Sequence, residues 1–152
     1  MINNTGQLRR VLLGVSSIVD PQLGYLKRVA KYLYRMSDVH GVSSVYHYRE
    51  DDIEGLSVVY SLRTQLEPLA LFKRIKEIER SLRSPHVNIV ILLIEDMILR
   101  TPLFVVPSEE LHVLKKWCVP AADLWGDCIH PIENKELKAL SELTGSNEKI
   151  EF

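Results

Sequence analysis

The chain has 152 residues, 46% of them apolar and 26% charged, and a formal net charge of −1. That length suits one domain around one core, and the ordinary composition excludes collagen-like, disordered and disulfide-scaffold proteins. The near-zero charge excludes a global basic field for collecting nucleic acid or anionic lipid. Two cysteines, Cys118 and Cys128, suit a reducing compartment, so a cytoplasmic protein is expected. No membrane association is expected either, because the longest apolar run, Ile89 to Ile94, falls far short of the roughly 20 residues that span a bilayer.

Arg9-Arg10 and the apolar residues after it mimic the start of a signal peptide. Ser16, Ser17 and Asp20-Pro21 follow with no small-residue cleavage site, so Val11 to Ser17 reads as a buried first strand. Asp20-Pro21 offers an N-cap and a preset first helical position. Leu26, Val29, Ala30 and Leu33 then fall on one helical face opposite Lys27, Arg28, Lys31 and Arg35, and the helix fades near Ser37-Asp38. Val42 to Tyr48 is β-branched and aromatic, as a strand should be, and Arg49 to Gly55 reads as a loop. Leu56, Val58, Tyr60 and Leu62 alternate as the next strand.

Glu67-Pro68 opens a second helix with the stripe Leu71, Ile75, Ile78 and Leu82, and Ser84-Pro85 stops it. Ile89 to Ile94 is apolar on both faces, which predicts a strand in the middle of a sheet. Glu95-Asp96 makes a turn, and Leu103 to Val106 a short strand. Ser108-Glu109-Glu110 predicts the start of a short helix running to Lys116, and a last helix lies around Lys135 to Leu143. The order β-α-β-β-α-β predicts an α+β, ferredoxin-like sheet with helices on one face and a C-terminal helical extension, all in a single domain over residues 1–152.

Leu13-Gly-Val-Ser-Ser-Ile-Val-Asp20 before a helix resembles the G-x-G-S-N-x-G-[DN] opening of the 7,8-dihydro-6-hydroxymethylpterin pyrophosphokinases of folate biosynthesis. Val42-Ser-Ser-Val-Tyr46, Leu56-Ser-Val-Val-Tyr-Ser-Leu62 and Leu71 to Glu79 are similar to later segments of that family. So are Ile91-Leu-Leu93, Ile98-Leu-Arg-Thr-Pro102, Pro107, Leu111-His112, Pro120-Ala121 and His130-Pro131. The resemblance runs in unbroken order from Val11 to Leu143 and implies the family's fold. For the activity it implies pyrophosphate transfer from ATP to the pterin, with magnesium held by two aspartates of the central strand.

The departures fall on those functional positions. The two aspartates align with Asn88 and Val90, although magnesium in nucleotide sites is usually held by one or two carboxylates. Only Arg80 to Val87 separates Glu79 from Asn88, too few residues for the family's catalytic loop. A further family arginine aligns with Leu114, a histidine with Ser108, and the pterin-stacking aromatic with Lys116. The pterin-binding asparagines align with Ser17 and Ser57, the Thr-Pro pair with Tyr48-Arg49, and a tyrosine with Gly55.

These losses predict a degenerate member with no catalytic residue, no bound metal and no cofactor. Its remnant cleft is expected to draw on Ser16, Ser17, Tyr48, Ser57, Glu79 and Asn88, a neutral floor suited to a polar, uncharged ligand. A binding or interaction role follows; the sequence does not identify the partner, which could be another protein or a second copy. The alternative is a divergent pyrophosphokinase using magnesium and ATP, with carboxylates from Glu79, Asp96 or a partner chain. Adjacent Glu95 and Asp96 would point to opposite faces of a strand, which disfavours their converging on one ion. A second alternative, an RNA-binding module, is motivated by the basic helix faces (Lys27, Arg28, Lys31 and Arg35; Lys73, Arg74, Lys76 and Arg80). It is disfavoured because Gly55 to Leu62 lacks the RNP1 pattern. Cys118, Cys128, His112 and His130 lack zinc-site spacing, His40, His47 and His86 are isolated, and Trp117 and Trp125 read as core.

Overall fold

A computed structural model describes residues 4–18, 22–50, 52–144 and 148–150. The elements are β1 (Asn4–Ser17), α1 (Gln22–Met36), β2 (Asp38–Val42), β3 (Val45–Glu50), β4 (Ile53–Leu66), α2 (Pro68–Leu82) and β5 (Val87–Ile94). After them come β6 (Leu99–Arg100), β7 (Val105–Val106), α3 (Lys115–Trp125), α4 (Leu137–Thr144) and β8 (Glu148–Ile150). The expected cap at Asp20-Pro21 lies outside the described residues.

The main sheet runs β5-β1-β4-β3-β8, with β2 also paired to β4. Every named pairing in it is antiparallel. This is the ferredoxin-like order, with the predicted strand over 42–48 divided into β2 and β3 at Ser43-Ser44. Alternation along the strands then sorts the core into two layers. Val11, Leu13, Val15, Val58, Tyr60 and Leu62 face the buried stripes of α1 and α2 (Leu26, Val29 and Leu33; Leu71, Ile75, Ile78 and Leu82). Leu12, Val59 and Leu92 face Trp117, Cys118 and Ala121 of α3 and Leu137 and Leu140 of α4. The C-terminal extension therefore covers the second face of the sheet.

Two expectations are corrected. The Ile89–Ile94 strand, β5, lies at the end of the sheet order. It is apolar on both faces because helices cover both of them. Its outer edge is sealed by polar contacts: the Ile89 N–H donates to Glu79 Oε2 at 2.8 Å, and Leu92 O accepts the Ser108 N–H at 2.9 Å. The segment after Ser108 is a run of turns, and the helix begins at Lys115. Leu111 is fully buried among the α3–α4 residues, which uses the turn as a plug. Pro120, a residue that argues against helix, lies inside α3. No described helix is long and apolar enough to cross a membrane.

Trp117 is 0% exposed, and a Cβ built on Gly14 would stand 2.6 Å from its ring. Only hydrogen fits there, so Gly14 sets how closely α3 approaches the sheet. Gly14→Ala should cost about 1–3 kcal/mol as overpacking, read as a lower urea midpoint with unchanged slope.

The turn before α4 is held by His130, which is 1% exposed. Its Nδ1 accepts the N–H groups of Ile132 (3.2 Å) and Glu133 (3.0 Å), which fixes a neutral ring protonated on Nε2. Burial, reinforced by the neighbouring His112 and opposed by Glu133, lowers its pKa. The folded protein thus binds this proton less readily than the unfolded chain does. The contribution is fully present above the ordinary histidine pKa of about 6.5 and declines as pH falls below it. His130→Asn keeps an acceptor for the two N–H groups, and its pH–stability curve should be flatter than wild type between pH 7 and pH 5. Parallel curves would contradict this role.

Candidate functional site

The C-terminal end of β1, the N-terminal end of β5 and the last turns of α2 enclose an open cleft of about 660 Å³. Ser16, Tyr48, Glu79 and Asn88 line it, together with Lys76, Arg80, His86 and Lys116. The turn after α2 is short because Arg83 takes the left-handed conformation (φ 54°) and donates its N–H to Arg80 O. β5 then starts at once, at Val87.

Four of the six expected residues thus meet. Ser17 does not, because alternation turns it toward the α1–α2 layer, where its hydroxyl is buried with no hydrogen-bond partner among the described residues. Ser57 pairs with Ser16 across the β1–β4 ladder, but it is 0% exposed, also without a partner among the described residues, and stays beneath the surface.

Glu79 is the cleft's one carboxylate among the described residues, and both its oxygens are engaged. Oε1 takes the Lys76 ammonium at 2.9 Å and Oε2 the Ile89 N–H at 2.8 Å. Asn88 is exposed at the cleft floor, whereas Val90, two residues on and on the same face, packs against the α3–α4 layer.

Tyr48 is 3% exposed, and its tip rests on Gly55, where a Cβ would meet the ring and hydroxyl at 2.6 Å. The Lys116 ammonium lies 5.2 Å from its ring centroid. Deeper in, the Tyr46 hydroxyl donates to Asp123 Oδ2 at 2.7 Å. Burial and that carboxylate raise its pKa, which keeps it a donor. With Tyr48 seated on backbone and faced by an ammonium, no aromatic pair among the described residues is present to sandwich a flat heterocycle.

A magnesium ion does not fit these residues. It needs hard oxygen ligands in near-octahedral order, and here an amide, a valine and an already engaged carboxylate stand at the site. No group of three His, Cys, Asp or Glu side chains suited to a metal occurs among the described residues. Glu95 and Asp96 follow the far end of β5, about 20 Å from Asn88 at about 3.3 Å per residue. They cannot supply the missing ligands. Cys118 is fully buried, and Cys128, only half-buried, carries a thiol whose pKa burial raises, with Arg10 opposing.

Among curated proteins, the chain is 28% identical over 140 residues to the 2-amino-4-hydroxy-6-hydroxymethyldihydropteridine pyrophosphokinase of Aquifex aeolicus (strain VF5). The match covers 84% of this chain and 88% of that one. The chain is similar in sequence to that pyrophosphokinase over most of both lengths. No model of a known protein family matches it. Among solved structures, the wild-type Plasmodium falciparum HPPK-DHPS with pteroate superposes with a TM-score of 0.79 at 10% identity, over 94% of this chain and 43% of that one. A triple mutant of the same protein gives 0.75 at 11% identity, again spanning 43% of its length. At such identity these structures establish a shared fold.

A second hollow, of about 270 Å³, continues along the outer edge of β5 past Val90. Glu109 and Glu110 line it, along with Phe72 and Phe104, whose rings stack at 4.9 Å. Glu110 Oε1 accepts the Trp117 indole N–H at 3.2 Å.

Sequence alone does not bring the cleft's cations together. Lys76 and Arg80 are four apart on α2 and so share a face, and Lys116 stands where the family's stacking aromatic aligns. The neutral floor expected for the cleft is therefore corrected to a cationic wall above a polar floor. Millimolar magnesium should leave the wild-type melting temperature unchanged beyond what sodium chloride of equal ionic strength does. Asn88→Asp combined with Val90→Asp should acquire a magnesium-dependent rise. A magnesium-specific rise in the wild type would contradict the ligand reading.

Proposed function

We propose that the chain is a non-catalytic relative of the hydroxymethyldihydropterin pyrophosphokinases that acts as a binding protein. The observation that carries this reading is the state of the metal positions: Asn88 and Val90 offer no carboxylate, and Glu79 is spent on Lys76 and the β5 edge. Phosphoryl and pyrophosphoryl transfer rest on positioning and on neutralising charge with metal ions and arginines. Leu114 stands at one expected arginine position, and the turn from Arg83 to His86 is too short to cover a triphosphate. Without a metal, Glu109 and Glu110 beside Val90 repel a polyphosphate laid along β5. A shared fold does not by itself carry an activity.

The divergent-kinase alternative requires carboxylates from Glu79 or Asp96, one already engaged and the other distant. The RNA-binding alternative requires an open sheet face, and helices cover both faces.

Removing one electrostatic contact to a developing charge typically costs roughly 10²–10³ in rate, and here several are missing together. AMP release from magnesium-ATP and 6-hydroxymethyl-7,8-dihydropterin should therefore stay at the protein-free background. Multiple turnovers of AMP, requiring both substrates, would overturn the non-catalytic reading.

A further inference from the structure

The two helices on one side of the sheet differ in charge from the rest of the chain. α1 holds Lys27, Arg28, Lys31 and Arg35 with no acid, and α2 holds four more cations against Glu77 and Glu79. Asp38 and Glu67 at the helix ends, with Asp20 just before α1 in sequence, raise the acids to five against eight cations. The local excess therefore survives every acid charged against it, in a chain whose net charge is −1. Lys76 is paired with Glu79, and Arg80 lines the cleft. The other six, Lys27, Arg28, Lys31, Arg35, Lys73 and Arg74, are exposed, and none forms an ion pair with a described residue.

Arg28, Lys31 and Arg35 fall at i, i+3 and i+7, on the side of α1 opposite the buried Leu26, Val29 and Leu33. With Tyr32 they line a hollow of about 200 Å³, and the Arg28 guanidinium lies 6.0 Å from the Tyr25 ring centroid. Met36 at the end of α1 shares a second hollow, of about 320 Å³, with Ala70, Lys73, Arg74 and Glu77 of α2, so the two helices form one continuous face. Tyr34, 59% exposed and three residues after Lys31, adds an aromatic ring to it, and Leu69, 44% exposed and four before Lys73, an aliphatic chain.

We propose that this face docks the protein peripherally on an anionic lipid surface, with headgroup phosphates taken by Arg28, Lys31 and Arg35. The proposal stands apart from the cleft and from the non-catalytic reading. A cluster of roughly four to eight basic residues on an amphipathic helix is drawn to acidic headgroups, and the arginine fork matches phosphate oxygens. Both helices pack on the same face of the sheet, so their outward rows meet a plane together, whereas neither projects alone to enter a nucleic-acid groove. Tyr34 and Leu69 suit the interfacial zone of a bilayer, where a ring lies in the headgroup region with its hydroxyl in water. The phosphate exterior of a duplex offers them nothing apolar. Spanning length and global charge, which argued against a membrane, do not bear on a local face of this kind.

The test is co-sedimentation of the full chain with vesicles of phosphatidylcholine alone and of equal parts phosphatidylcholine and phosphatidylserine, over a range of sodium chloride. The protein should bind the mixed vesicles, come off as salt rises, and ignore phosphatidylcholine alone. Each of Arg28→Gln, Lys31→Gln and Arg35→Gln should weaken binding about fivefold, and the three together roughly a hundredfold. Removing three charges from the α3–α4 side instead, by Lys115→Gln, Lys135→Gln and Lys138→Gln, should leave binding within about twofold of wild type. Thermal melts should show both triple variants folded. Equal losses in the two would mean that net charge alone drives binding, and would overturn the proposal. So would retention on phosphatidylcholine alone, or no binding to the mixed vesicles at low salt. A short RNA duplex or polyglutamate captured through Arg28, Lys31 and Arg35, with the vesicles unbound, would give the face to a nucleic acid or an acidic protein instead.

Discussion

Glu79 reaches from α2 to the outer edge of β5, and much of the molecule's chemistry depends on where its two oxygens go. One carries the Ile89 N–H, a donor that an edge strand would otherwise leave to solvent or to another chain. The other carries Lys76. A buried or half-buried donor left unpaired costs about 1–3 kcal/mol, so this carboxylate is structurally employed. By joining helix to strand it fixes the floor of the cleft between them, and by holding Lys76 it sets one cationic wall. A carboxylate committed in this way cannot also complete a metal shell.

Much of the fold was legible because its signals are local and periodic. The stripes of α1 and α2 and the alternation in β1 and β4 each point to one buried face, and the observed helices and strands follow them. The failures came where tertiary context decides. Ile89 to Ile94 looks central because both its faces are apolar, but face burial says nothing about which edge is paired. The α3 helix begins where the expected short helix ends, at Lys115–Lys116, and Pro120 interrupts the pattern that would announce it. Its start could not be read either, since burial of Leu111 draws Ser108 to Leu114 into turns.

The site was legible in what it lacks more than in what it holds. Aligning Asn88 and Val90 with metal-binding aspartates needs only the sequence, and alternation then puts both on one face. Ser16 and Ser17 are adjacent, so only one of them can face the cleft, and register against β4 and β5 selects Ser16. The cationic wall needs three dimensions. Lys76 and Arg80 look like solvated helix charges until α3 brings Lys116 across from them. Asn88 and Val90 bring no carboxylate to the cleft, Glu79 is engaged, and Lys76, Arg80 and Lys116 line its walls.

The central claim is that this cleft has lost the coupling between metal, nucleotide and pterin. The most direct measurement is calorimetric titration with 6-hydroxymethylpterin, with and without magnesium and a non-hydrolysable ATP analogue. The account predicts no heat of pterin binding in either condition and no strengthening of the analogue by magnesium. Pterin binding that requires both nucleotide and metal would contradict it, and would place a rebuilt pyrophosphokinase site in this cleft.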